Sequence, residues 1–134
     1  SSEMLCDSCQ RPLLKPTTVL FGASLPQSFF EVLENDLPAA DLVIVAGTSL
    51  VVSPANLIAL AAPESAPRII CDRNDVASGV GIDCSSPARE DVWLQGDADD
   101  VAADLATACG WLDDLAAFED ALPEASRATL DRVR

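Results

Sequence analysis

Residues 41–54, DLVIVAGTSLVVSP, constrain this chain more than any other segment. Leu42, Val43, Ile44, Val45 and Ala46 form an apolar run that stops at Gly47 and gives way to the hydroxyl residues Thr48 and Ser49. A short apolar run bounded by turn residues reads as a parallel strand covered on both faces. Ser53 and Pro54 then open a helical pattern. A strand that ends in Gly-Thr-Ser at a sheet edge is a natural holder of phosphate and ribose. Glycine lets the backbone approach closely, and free amides and hydroxyls donate. An ordinary hydroxyl-capped turn explains the same three residues when they are taken alone, so their neighbours decide the matter.

Strand and helix patterns alternate along the chain. Residues 17–21 (TTVLF) are β-branched and apolar, which predicts a first strand. Pro26 suits the first turn of a helix reaching Glu34, with Phe29, Phe30 and Leu33 as its apolar stripe. Residues 42–46 give the second strand, and residues 54–62 a helix capped by Ser53. Pro63 and Pro67 bracket a turn before a third strand at residues 68–71 (RIIC). Residues 74–90, rich in Gly, Ser, Pro and Asp, predict a loop, and residues 92–95 (VWLQ) a fourth strand. Residues 99–109 predict a helix with Val101, Leu105 and Ala108 on one face and Gly110 just past its end. The pattern implies an α/β fold, half of a doubly wound parallel sheet with helices on both faces. The aromatic residues Phe21, Phe29, Phe30, Trp93 and Trp111 are expected in the core, Cys109 is expected to be buried, and the last twenty residues are expected to be loosely attached.

Composition narrows the function classes. At 134 residues the chain is one domain or a piece of one, with enough apolar residues for a core. A formal charge of −14 argues against direct nucleic-acid binding, because phosphates would be repelled. Basic partners such as Lys-rich tails fit the charge, although acid in residues 97–104 and 113–124 reads chiefly as solvated helix faces. No apolar run approaches the roughly 20 residues that span a bilayer, so no membrane association is expected. The chain opens with no secretory signal; it begins with Ser1 and has Met4 as its single methionine, which reads as a processed product or a fragment. Five irregularly spaced cysteines (Cys6, Cys9, Cys71, Cys84 and Cys109) fit a reducing, intracellular compartment. Histidine is absent, so these residues offer no imidazole base.

Cys6 and Cys9 stand two residues apart, a spacing that lets two thiolates grip one zinc ion. A tetrahedral structural site needs four ligands, and neither Cys71, Cys84 nor Cys109 makes an evident second pair. A redox pair is the rival reading, but such a pair normally opens a helix, and Pro12 with the extended KPTT segment argues otherwise. Unpaired thiols are the third.

Taken in order, Cys6-x-x-Cys9, the segment KPTTVLFGASLP at residues 15–26, Gly47-Thr48-Ser49-Leu50-x-Val52-x-Pro54, PRIICD at residues 67–72 and GDAD at residues 96–99 with Gly110-Trp111 resemble a sirtuin. The likeness covers residues 6–115 and is nearest to the nuclear and cytoplasmic eukaryotic class. It implies an NAD-dependent protein-lysine deacylase, in which the acyl group passes from lysine to ADP-ribose and nicotinamide is released. The matched part is the C-terminal portion of a Rossmann-like NAD-binding domain (residues 17–112). It follows the second half of a small zinc-binding lobe (residues 1–16) and precedes an acidic helical tail (residues 113–134).

By the same resemblance, Gly47, Thr48 and Ser49 contact the NAD ribose and phosphate, Asp72 and Arg73 meet the adenosine ribose, and Ala98 lies beside the adenine. Val19, Leu20, Phe21 and Gly22 form the edge that receives an acyl-lysine peptide, histone tails among the possible substrates, as an added strand. Cys6 and Cys9 are the second zinc pair. Three positions depart from the family habit: Asp72 replaces an Asn, Ala23 a Glu and Ala98 a Cys. An acid at Asp72 still accepts from ribose hydroxyls and repels a 2′-phosphate. The phosphate loop, catalytic histidine and first zinc pair of a whole sirtuin are not among these residues. The chain alone is therefore expected to lack deacylase activity and to retain zinc poorly. The competing expectation is a non-catalytic nucleotide-binding or assembly module, able to associate through an exposed sheet edge.

Overall fold

β1 (Val43–Ala46), β2 (Arg68–Asp72) and β3 (Val92–Gln95) form a parallel sheet in the order β1-β2-β3. The computed structural model describes residues 4–12, 14 and 18–134. Val43 lies opposite Arg68 and Ala46 opposite Cys71, while Ile69 lies opposite Val92 and Asp72 opposite Gln95. This register brings all three strands to an end at one edge. The central strand is the most completely covered, with Ile70 and Cys71 both buried, as a parallel strand flanked on each side should be.

Period-two alternation then sorts the side chains by face. Val43, Val45 and Ile70 share the main core with Leu37, Leu50, Ala59, Ala62, Ala77 and Ile82, and Trp93 packs against it. Ala59 comes from α2 (Leu57–Leu60). On the opposite face, α3 (Ala98–Cys109) packs against β2 and buries Val101, Ala103 and Ala106. The first turn of α3 carries Asp99 and Asp100, which complement the positive end of the helix dipole. It stops at Gly110, whose φ of 71° is in the left-handed region, and the Trp111 amide donates back to the Ala106 carbonyl at 2.7 Å.

A buried ion pair ties the starts of β2 and β3 together. Asp91 accepts from the Arg68 backbone N–H at 2.8 Å and from its Nε at 3.1 Å, and Arg68 Nη1 donates to the Ala59 carbonyl at 3.1 Å. Arg89 Nε stands 3.2 Å from the same carboxylate. Burial alone would raise the Asp91 carboxyl; the hydrogen bonds from Arg68 and the charges of Arg68 and Arg89 outweigh it and hold it below the usual carboxylate range.

The structure corrects several expectations. Residues 18–21 form no strand: Ala23 N–H closes a turn on the Leu20 carbonyl and Gly22 has φ of 82°. β-propensity acts through packing against neighbouring strands, and no strand pairs with this segment among the described residues. Thr17, Lys15 and Pro16 lie outside the described residues. The first helix runs as α1 (Gln27–Glu31), a π turn (Val32–Asp36) and a 3-10 turn (Leu37–Ala39), so it extends past Glu34 until Leu37 reaches the core.

Ser53 does not cap a helix, because residues 53–56 wind as a tighter turn. Leu57 N–H bonds the Pro54 carbonyl and Ile58 N–H that of Ala55, both three residues back, and α2 starts at Leu57 with Asn56, not Ser53, at its cap position. On α3 the buried positions are Val101, Ala103 and Ala106, leaving Ala108 and Cys109 exposed. Phe21, Phe30 and Trp111 are exposed rather than core, while Phe29 and Trp93 are half-buried.

The last twenty residues are not loose. α4 (Leu112–Ala116) leads into α5 (Glu124–Val133), which lies on α3 with Leu130 buried. Ser126 Oγ donates to Asp99 and Thr129 Oγ1 to Asp100, each at 3.0 Å, and Arg132 adds a third bond at 2.6 Å. The acids in the first turn of α3 therefore serve the docking of α5 as well as the helix dipole.

Candidate functional site

Because the three strands end together, the loops that follow them converge. A cleft of about 240 Å³ opens there, lined by Gly47, Cys71, Asp72, Arg73, Asn74, Gly96, Asp97 and Ala98. Four of the six residues expected to touch a nucleotide, Gly47, Asp72, Arg73 and Ala98, thus meet in one place. Gly47 has φ of 62° and open space where a Cβ would stand, so backbone is presented bare to the cleft. Its N–H donates to the Cys71 carbonyl at 3.2 Å, fixing the end of β1 against β2.

Asp72 is held by its neighbours. Its Oδ1 accepts from the Asn74 N–H at 2.9 Å, its carbonyl accepts from Trp93 Nε1 at 3.0 Å, and the Gly96 N–H reaches the same carbonyl at 3.4 Å. Arg73 Nε donates to Asp97 across the mouth of the cleft, and Gln95 Nε2 donates to the Arg73 carbonyl at 3.1 Å. Ala98 begins α3, so its amide is one of the N–H groups with no partner inside that helix. Cys71 sits at the floor, where burial pushes its thiol up and disfavours the thiolate.

Thr48 and Ser49 stand apart from this lining. Thr48 Oγ1 accepts from the Leu50 N–H at 3.3 Å, and Leu50, with φ of 56°, turns its side chain into the core. Val19, Leu20, Phe21 and Gly22 line a different cleft, of about 370 Å³, together with Ala23, Leu25 and residues 52–54. The loop after β1 therefore lies between the two clefts in sequence: Gly47 faces one and residues 52–54 line the other. Phe21 projects fully into solvent beside the second cleft.

Cys6 and Cys9 lie on a tight turn in which Gln10 N–H bonds the Cys6 carbonyl at 2.8 Å and Cys6 N–H bonds the Arg11 carbonyl at 2.9 Å. The Cys9 and Ser8 amides and the Cys9 thiol point at the Cys6 sulfur and hold its thiol below the usual range. That geometry fits two thiolates on one metal ion. No group of three His, Cys, Asp or Glu side chains suited to a metal occurs among the described residues.

Residues 1–54 match the family model described as the Sir2 family. The NAD-dependent protein deacetylase SIR2rp1 of Leishmania major is 42% identical over 71 residues, 53% of this chain and 19% of that protein. The NAD-dependent protein deacetylase hst2 of Schizosaccharomyces pombe is 34% identical over 110 residues, 82% of this chain and 31% of that protein. The chain belongs to the Sir2 family. The NAD-dependent histone deacetylase SIR2 of Saccharomyces cerevisiae is 35% identical over 99 residues, 74% of this chain. The chain spans no more than 31% of the length of these Sir2 relatives.

Within this Sir2-family chain, sequence reading missed Cys71, Asn74, Gly96 and Asp97 as lining residues of the first cleft. The signal was the strand register. Once Asp72 pairs with Gln95, the next residues of both strands must emerge side by side. The cleft fits the ribose end of a dinucleotide on its own chemistry: a bare glycine backbone, a carboxylate oriented by an adjacent amide, and a helix-start N–H.

Proposed function

We propose that this chain is the C-terminal portion of an NAD-dependent protein-lysine deacetylase and that its strand-end cleft holds the adenosine ribose of NAD. The convergence of Gly47, Asp72, Arg73 and Ala98 in one cleft is the observation that carries this reading. Asp72 accepts from the ribose hydroxyls, Gly47 lets the backbone come close, and the Ala98 amide faces the adenine. Thr48 and Ser49 offer hydroxyls toward the more distant ribose and phosphate. NAD, when bound, supplies the ADP-ribose that accepts the acyl group.

Val19, Leu20, Phe21 and Gly22 offer backbone to an acyl-lysine protein or peptide, histone tails included, at the second cleft. Cys6 and Cys9 contribute two of the four ligands of a structural zinc. The work is intracellular, in nucleus or cytoplasm. None of the 134 residues is a histidine, so the proton transfer belongs to a group outside them, and the chain by itself binds without turning over. The open edge of β1 favours a second reading, an assembly module built on the same half-fold; among the described residues β1 pairs only with β2.

Calorimetric titration separates nucleotide binding from mere likeness of fold. NAD should bind the wild-type chain, and Asp72→Ala should weaken it about tenfold through loss of a charge-assisted hydrogen bond. Equal affinity for the two proteins would remove Asp72 from the site.

A further inference from the structure

The strand-end cleft contains an unusual balance of charge. Two acids, Asp72 and Asp97, line it with one cation, Arg73. Arg73 Nε is already engaged by Asp97, joining the loop after β2 to the residue that starts α3. Both side chains reach solvent, so the pair adds little to stability and its consequence is for what enters the cleft. We propose that Asp97 is a specificity-determining residue: by occupying Arg73 and adding a second negative charge beside Asp72, it makes the cleft select a dinucleotide with a free adenosine 2′-hydroxyl and reject one carrying a 2′-phosphate. This rests on the assignment of the cleft to the adenosine ribose.

The chemistry runs as follows from the groups in place. A 2′-phosphate brings up to two negative charges and needs an arginine fork available for charge-assisted bonds. The one arginine at this cleft gives its Nε to Asp97, so a phosphate that approached it would meet the negative charge of Asp97 as well as that of Asp72. A ribose hydroxyl meets no such conflict, because Asp72 accepts its proton while Arg73 stays paired. Neutralising Asp97 changes both conditions together: the lining loses one negative charge and Arg73 Nε loses its charged partner.

The test titrates NAD and NADP separately into the 134-residue chain, wild type, Asp97→Asn, Asp97→Ser and the double variant Asp97→Asn/Arg73→Ala. The Asp97 side chain makes no capping bond to α3, and Asn and Ser are both good residues for a helix start, so the fold is expected to persist, with circular dichroism and melting as checks. Wild type should bind NAD at least tenfold more tightly than NADP. Asp97→Asn and Asp97→Ser should narrow that ratio about tenfold through a gain for NADP, the gain should shrink with added salt, and the double variant should abolish it. An unchanged ratio in both single variants, or a gain that survives loss of Arg73, would overturn the role of Asp97 while leaving the cleft assignment standing. Failure of the wild-type chain to bind NAD would overturn the cleft assignment and this inference together.

Discussion

Removing the Asp91 carboxylate while Arg68 stays in place leaves a guanidinium in the interior with no counter-charge. Asp91→Asn should destabilise the chain by about 3 kcal/mol in urea unfolding, the magnitude expected for breaking a buried pair from one side. The same pair makes stability depend on acid. The folded Asp91 carboxyl lies below its unfolded value of about 3.9, so its contribution is fully present above that pH and is lost as pH falls through the folded value. Urea midpoints measured from pH 7 downward should therefore decline below about pH 4 in wild type and decline less in Asp91→Asn. An identical pH profile in the two proteins would show that the pair carries no such linkage. Nothing in the sequence singled out this partnership, because Arg68 and Asp91 are 23 residues apart, one at the first position of β2 and the other just before β3, where a charge reads as a solvated end.

The elements that sequence reading recovered are those whose signals are local. β1, β2 and β3 stand where the apolar runs placed them, and α3 ends at the glycine expected to stop it. Gly47 stood out locally, as the residue that ends its apolar run, whereas Asp72, Arg73 and Ala98 were expected near it only through the family resemblance. What was not legible depends on partners distant in the chain: the unpaired segment at residues 18–21, the tight turn before α2, and the docking of α5. Leu130 is the anchor of that docking, almost fully buried against α3. Leu130→Ala should cost about 3 kcal/mol and expose the amides of α5 to hydrogen exchange before those of β2. Exchange at α5 unchanged by the substitution would mean that the side-chain bonds to Asp99 and Asp100 hold the helix without it.

The whole molecule balances an open sheet against a large charge. β1 has backbone unpaired on its outer side among the described residues, and Leu42 and Ile44 are exposed beside it. Such an edge favours association, while a net charge of −14 holds copies apart. Sedimentation velocity should therefore show association that grows as salt is raised, and Ile44→Lys should reduce it. A monomer at every salt concentration would show that the edge is protected. The cleft where the three strands end tests the function. Amide chemical shifts of the isotope-labelled chain, followed during titration with NAD, report directly on which residues meet the nucleotide. The shifts should concentrate at Gly47, Asp72, Arg73, Asn74, Gly96 and Ala98 and saturate together; shifts confined to other surfaces, or none at all, would contradict the assignment of this cleft to NAD.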